Sequence, residues 1–369
     1  MRAWDETDSV LRKRAERRAE EDADRLRELE EHGINLDPGG PARPRPGGSA
    51  AATGNAADTG DPAGTGLADR HVADHEHGGP GERPVIGIVG AGPVGLALGA
   101  ALHRAGWPVG AVASRDAGRR ERFRSLVPGA RGFVEAAALV DDVELIVLAV
   151  PDDAVEPLAA TLRLYSGQAI IHTSGRLGPE ALVPALAAGT QAGTFHPLVA
   201  FADLERAIEA LHGATIAIEG DDELAAHLAD MAEAVGGTPV RLAPGSKAAY
   251  HAAAVLAAGG VTALLDTIRE IATVVGLDEG GALRIYLPLV EQTLANARAL
   301  GIAGALTGPA TRGDAGTLEA HLAALAAGAP DTVAVYRALA ARQIEIAERR
   351  GALSPERSER LRTALAGNP

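Results

Sequence analysis

Beyond residue 84 the apolar residues come in short runs broken by glycine, proline or polar residues. Residues 85–89, 109–113, 145–150 and 169–172 are runs of this kind and predict strands. Between the first two, residues 94–105 have the spacing of a helix. A further unit follows, with strands over 214–218 and 239–242 around a helix over 222–235. Strands alternating with helices predict a parallel sheet covered on both faces. After residue 242 the strand pattern stops. Residues 246–275, 281–300, 317–326 and 331–349 predict helices. The expected fold class is α/β, a doubly wound parallel sheet over 84–244 followed by an all-α domain over 245–369.

The first 83 residues have a different texture. Residues 9–31 place Arg and Glu at helical spacings, as in Arg17 and Glu21. A helix polar on nearly every side is solvated rather than core, so residues 1–32 are expected to be a charged helical extension. Residues 33–83 are rich in Gly, Pro, Ala and Asp. They have too few large apolar side chains to offset chain entropy, which predicts a disordered linker. His71, His75 and His77 lie in it, but a polar linker is the expectation there and no metal is expected.

Composition narrows the chemistry. The chain is 46% hydrophobic but only 3% aromatic, so Ala, Val and Leu must build its core. With 35 basic against 49 acidic residues the net charge is −14, which opposes binding to a phosphate backbone. The absence of cysteine excludes disulfides and thiolate catalysis. The charged start lacks the apolar run of a secretory signal. Residues 252–265 are the most membrane-like stretch, and they fall short of the ~18–20 residues that span a bilayer. The expectation is a cytoplasmic protein with neither nucleic acid nor membrane as partner.

Gly90-Ala91-Gly92-Pro93-Val94-Gly95 follows the first strand and opens the first helix. In that context G-x-G-x-x-G is the dinucleotide-binding signature of a Rossmann domain. Gly90 permits the tight turn, Gly92 lets the backbone approach a pyrophosphate, and Gly95 lets helix and strand pack closely. Pro93 and Val94 complete the loop at the positive end of the helix dipole. The next strand ends in Ser114-Arg115, where an NAD site would place an acidic residue for the ribose 2′-hydroxyl. A hydroxyl and a guanidinium suit a 2′-phosphate instead, which favours NADP over NAD. Asp116, beside them, could partly take the acidic role.

Ligands of open parallel sheets bind at the carboxyl ends of the strands. Val150-Pro151 is expected to pass the nicotinamide ribose. His172-Thr173-Ser174 and His196-Pro197 offer groups that transfer protons or anchor substrate, Ser174 and His196 before His172. Lys247 is sharper, because it is the only lysine beyond residue 13 in a chain that otherwise uses Arg. A buried lysine can trade protons, which arginine cannot. His251, four residues on, shares its helix face. Lys247 and His251 are the catalytic candidates, with Ser246 as the expected N-cap. Ser174, His196 and Arg312 are the candidate substrate residues, Arg312 from the loop Thr307-Gly308-Pro309-Ala310-Thr311-Arg312-Gly313-Asp314.

From about residue 85 to 365 the chain resembles the Rossmann-like oxidoreductases that end in domain of unknown function 2520, often described as similar to deazaflavin-dependent NADP oxidoreductases. The resemblance rests on Gly90 to Gly95, Ser114-Arg115, Ala149-Val150-Pro151-Asp152, His196-Pro197-Leu198, Lys247 to Ala253, Thr307-Gly308-Pro309 and Arg312-Gly313-Asp314. A broader set with the same plan includes 3-hydroxyisobutyrate dehydrogenase, ketopantoate reductase, pyrroline-5-carboxylate reductase and prephenate dehydrogenase. In the hydroxyacid and ketopantoate enzymes a lysine placed like Lys247 acts on the substrate oxygen, often with an asparagine where His251 stands here. The resemblance implies a homodimer formed through the helical domain. The expected function is NADP-dependent hydride transfer to or from a small carbonyl or hydroxy-acid substrate. The alternatives are a non-catalytic dinucleotide sensor or scaffold and a deazaflavin–NADP oxidoreductase.

Overall fold

The computed structural model describes residues 83–367. The expected charged helix, the linker and its three histidines lie outside the described residues, apart from the linker's last residue. The chain divides into two compact units, Met1–Ala252 and Ala253–Pro369. The division falls a little after the expected 244/245 boundary, so Lys247 and His251 share a unit with the sheet.

The first unit holds eight strands: β1 (Ile86–Val89), β2 (Val109–Ala113), β3 (Arg131–Phe133), β4 (Leu145–Leu148), β5 (Ala169–His172), β6 (Gln191–Pro197), β7 (Thr215–Glu219) and β8 (Thr238–Arg241). Their order across the sheet is β3-β2-β1-β4-β5-β6-β7-β8. β1 to β6 are mutually parallel, β7 runs antiparallel to β6, and β8 is parallel to β7. Six parallel strands in the order 3-2-1-4-5-6 form a Rossmann-like sheet. The helices of this unit are α1 (Pro93–Arg104), α2 (Ala117–Leu126), α3 (Asp152–Ala159), α4 (Leu204–Leu211), α5 (Asp222–Ala234) and α6 (Lys247–Val255).

Alternation along the strands feeds two separate cores. Ile86, Ile88, Leu145 and Val147 pack on one face with Leu98 and Leu102 of α1 and Leu228 of α5. Val89, Ile146, Leu148 and Ile170 pack on the other with Leu139, Val155 and Leu182. Side chains of successive strand residues point to opposite faces, and a sheet buried on both reads as a continuous apolar run.

Two features of the sheet were not predicted. β3 is a half-exposed edge of Arg131, Gly132 and Phe133, with no apolar run to announce it. The reversal at β7 follows a helical connection and leaves no mark in the strand pattern.

The second unit is helical: α7 (Val261–Thr273), α8 (Glu279–Ala305), α9 (Pro309–Arg312), α10 (Ala315–Gly328), α11 (Val333–Arg349) and α12 (Pro355–Ala366). Its core joins Leu318, Leu322, Ala340, Ile344, Leu361 and Leu365 from the last three helices. α12 was not predicted, because only Leu361, Ala364 and Leu365 interrupt its polar sequence, although Ser354 caps it and Pro355 opens it. α8 leaves Ile285, Leu289, Leu294, Leu300 and Ile302 exposed.

α6 and α7 are joined through a π-turn at Leu256–Gly260 into one helix, Lys247–Thr273. It has 27 residues, and an 18-residue window within it has a mean hydropathy of 1.6, so by length and composition it is long and apolar enough to cross a membrane. The expectation that this stretch is too short is therefore corrected. The apolar run was bounded at His251 and Asp266, but the helix continues past both.

Candidate active site

The sheet register brings the strand ends together. Val89 pairs with Leu148, Leu148 with His172, and His172 with Thr194. The glycine turn after β1, the Val150-Pro151 segment after β4, Ser174 after β5 and His196 near the end of β6 thus share one end of the sheet.

The glycines of the turn act differently. Gly90 has φ 105°, and a Cβ on it would lie 2.2 Å from the Ala149 carbonyl oxygen. A Cβ on Gly95 would lie 1.9 Å from the Gly90 oxygen, so this contact locks helix to strand. A Cβ on Gly92 would meet nothing within 4 Å. Pro93 opens α1, and no side chain caps that end. Gly92, Pro93 and Val94 therefore leave an uncapped helix N-terminus facing open space, which fits an anionic pyrophosphate. Pro151 is the N-cap of α3, and Val150 packs beside the Gly90 turn.

At the end of β2, Ser114 donates its N–H to the Phe133 carbonyl, and Arg115 is exposed. Asp116 accepts the N–H of Arg119 at 3.0 Å as the N-cap of α2. That capping bond is the largest cause holding its carboxyl below the ordinary value. Asp116 thus has a local task. Arg120, on the first turn of α2, donates to the Ser114 carbonyl. It also lines an open groove of about 570 Å³ between α2 and β3, with Arg124, Arg131 and Phe133. This groove is separate from the strand-end histidines.

His172 and Ser174 are committed to the loop that follows β5. His172 is fully buried; its Nε2 donates to the Gly178 carbonyl at 3.0 Å, and its Nδ1 accepts the Ser174 N–H at 3.2 Å. Both nitrogens are used only in the neutral ring. Burial pushes its pKa down to about 4. The Ser174 Oγ accepts the N–H groups of Arg176 and Leu177 at 3.1 and 3.0 Å. Its oxygen shapes the turn.

A different cluster forms between β6, β7 and α6. Thr194 lies directly opposite Glu219, so the two side chains share a face, and His196, two residues on, shares it too. Lys247, Tyr250 and His251 lie at i, i+3 and i+4 on α6. Lys247 Nζ is 3.0 Å from Glu219 Oε2, which also accepts the Thr194 hydroxyl at 3.0 Å. The lysine is 4% exposed; burial pushes its pKa below the ordinary value, and the Glu219 charge opposes that shift. The His196 ring lies 5.6 Å from that of His251 and 6.2 Å from that of Tyr250, nearly perpendicular to both. His196 Nε2, His251 Nδ1 and the Tyr250 hydroxyl are buried without a hydrogen-bond partner. Burial lowers the pKa of His196 and pushes that of Tyr250 up to about 12. Buried polar atoms normally find partners, so three orphans converging on one place point to a ligand.

The structure brings Ser174, His196, Lys247 and His251 to the same end of the first unit. Arg312 belongs to the second unit. It is exposed on α9, where Asp314 caps α10 by accepting the Thr317 N–H at 3.1 Å. Ser246 does not act as the expected cap: its hydroxyl donates back to the Ala243 carbonyl. Sequence reasoning missed Glu219, Thr194, Tyr250 and Gly175. A Cβ on Gly175 would lie 2.2 Å from His251 Nδ1 and 2.8 Å from His196 Cε1, so only glycine lets that loop close on the rings. A lone acidic residue ending an apolar strand was the available sign of Glu219. Among the described residues no group of three or more His, Cys, Asp or Glu is placed to hold a metal ion.

The fold is a Rossmann-like α/β sheet followed by a helical second unit. Residues 74–197 match the Rossmann-like domain, and residues 214–343 match the Domain of unknown function (DUF2520). The chain thus joins these two domains in the order its sequence resembles. It is similar to a protein from Thermotoga maritima, at 27% identity and a TM-score of 0.58, covering 72% of this chain and 99% of that one. It is also similar to a candidate NADP oxidoreductase from Bacteroides fragilis, at 22% identity and a TM-score of 0.61, covering 71% and 98%. A third similar structure is a reductive aminase from Aspergillus terreus in complex with NADPH and ethyl-5-oxohexanoate, at 19% identity and a TM-score of 0.56, covering 76% and 99%. No curated protein matches the chain.

Proposed function

We propose that this protein is an NADP-dependent oxidoreductase that transfers hydride to or from a small carbonyl or hydroxy-acid substrate. The observation that carries the reading is the set of unpartnered polar atoms on His196, Tyr250 and His251, at the same end of the sheet as an open glycine turn. Gly90, Gly92, Pro93, Val94 and Gly95 would hold the pyrophosphate, and Val150 and Pro151 would border the nicotinamide ribose. Ser114 and Arg115, helped by Arg120, would take the 2′-phosphate, which favours NADP over NAD. NADP(H), when bound, supplies or accepts the hydride. The residues of this chain would handle the proton and the substrate oxygen. Lys247, His251 and His196 would supply the charge and the proton-handling groups, and the Ser174 hydroxyl would hold the loop that closes on them.

The test uses purified full-length protein. NADPH binding is followed by fluorescence, and NADPH oxidation is followed against a panel of 2-keto acids, β-keto acids and imines, with Lys247→Ala as control. Micromolar NADPH binding with turnover lost in Lys247→Ala supports the reading. Tight binding without turnover supports a sensor or scaffold instead. Turnover only when a deazaflavin is added supports an electron carrier. The helical unit would form a homodimer. The exposed Ile285, Leu289 and Leu294 of α8 support this, since apolar patches of that kind mark interaction sites. Light scattering should give twice the chain mass, and one chain mass after Leu289→Glu with Leu294→Glu.

A further inference from the structure

We propose that His196 Nε2 is the atom that exchanges the substrate proton, while Lys247 keeps its proton and acts as a fixed charge. This rests on the reading of the strand-end cluster as the acid–base site of an oxidoreductase. The geometry separates the four candidates.

His196 Nδ1 lies 3.0 Å from the Thr173 carbonyl oxygen. A carbonyl only accepts, so Nδ1 bears the proton and the neutral ring presents Nε2 as a bare lone pair. That lone pair is buried and has no partner. His172, one strand away, has both nitrogens occupied. His251 Nδ1 is packed against Gly175, where a Cβ would come within 2.2 Å. Lys247 Nζ makes no aligned hydrogen bond but lies 3.0 Å from Glu219, and deprotonating it would strip the counter-charge from a nearly buried carboxylate that keeps only the Thr194 hydroxyl. The charged and titratable groups that act on the His196 ring are Asp152 on α3 and Lys247, Tyr250 and His251 on α6. Tyr250 keeps its hydroxyl proton and can donate to the substrate oxygen.

A bare lone pair next to a donor hydroxyl selects a group that is alcohol in one state and ketone in the other. On oxidation the substrate O–H bond breaks, its proton forms an N–H bond at Nε2, and the freed electron pair closes the C=O bond. The hydride leaving that carbon is what NADP+ accepts when bound. On reduction the imidazolium returns its proton to the oxygen.

Two measurements test this on the full-length protein. Long-range 1H–15N NMR of histidine-labelled protein, with His196 assigned by His196→Asn, should show the Nδ1–H tautomer, neutral at pH 7. An Nε2–H tautomer, or an imidazolium at pH 7, would overturn the proposal with or without a known substrate. On the panel compound reduced fastest, His196→Asn should lower kcat by about 10²- to 10⁴-fold and remove the high-pH limb of kcat/KM, where the wild-type ring has lost the proton it must deliver. NADPH affinity should stay within about twofold. A retained limb in His196→Asn, with the limb lost in Lys247→Arg, would return the proton to Lys247. Failure of the wild-type protein to bind NADPH would defeat the proposed function and leave the NMR result to decide the chemistry of His196.

Discussion

β5 and β6 lie side by side, and each carries a histidine near its carboxyl end, His172 fully buried and His196 half-buried. His172 gives one nitrogen to a carbonyl and receives an N–H at the other. His196 gives one nitrogen to a carbonyl and leaves the other without a partner. Burial lowers the pKa of both. Perturbed titration alone would therefore rank His172 first, with its pKa near 4. The hydrogen-bond account of each ring reverses that order. A fully satisfied buried ring is architecture, while an orphaned one is held ready for a molecule that brings the missing partner. The glycine turn repeats the contrast. Gly95 is filled against the Gly90 oxygen, and Gly92 faces open space.

The largest expected effect is on rate. His196→Asn should cost about 10²- to 10⁴-fold in kcat with little change in the unfolding midpoint. His172→Asn should show the reverse, a lower midpoint in urea with the pH limb of the rate retained. If both substitutions acted alike on rate and stability, the contrast between the strands would be broken.

The second effect concerns acid. The pKa of His172 is depressed in the fold, from 6.5 to about 4, so the folded state resists a proton that the unfolded chain accepts. Its stabilising contribution is complete above pH 6.5 and is lost as the pH falls toward 4, amounting to about 3 kcal/mol. Urea melts between pH 7 and 4 should show this fall, and the His172→Asn protein should lack that part of it.

Gly175→Ala should move the His251 and His196 rings and lower kcat by about tenfold, because misplacement by about 1 Å is already costly. The smallest effect is expected at Gly92. An alanine there meets no atom of the protein, so thermal stability should change by less than about 0.5 kcal/mol while NADPH titration shows weakened binding. Gly95→Ala should instead lower the melting temperature outright.

Most of the sheet could be read from the sequence, because strands buried on both faces must be apolar throughout and stand out as runs. The glycine turn, Lys247, His251 and His196 could be read for a related reason, since each breaks a local pattern. What stayed hidden depends on contacts between distant segments. Glu219 matters only because β7 reverses and sets it opposite Thr194. Tyr250 matters only because its helix face turns toward His196. Gly175 resembles any turn glycine until the rings it touches are known. The edge strand β3 and the polar helix α12 were missed because each owes its structure to neighbours more than to its own apolar pattern.

A crystal structure of the full-length protein with NADP(H) would test the central claim most directly. The account predicts the nicotinamide ring at the ends of β4 to β6, with its reactive face toward His196 Nε2 and Lys247 and room for one small substrate between them. A ring lying more than about 10 Å from both groups, far outside the hydrogen-bonding reach that proton transfer needs, would contradict it.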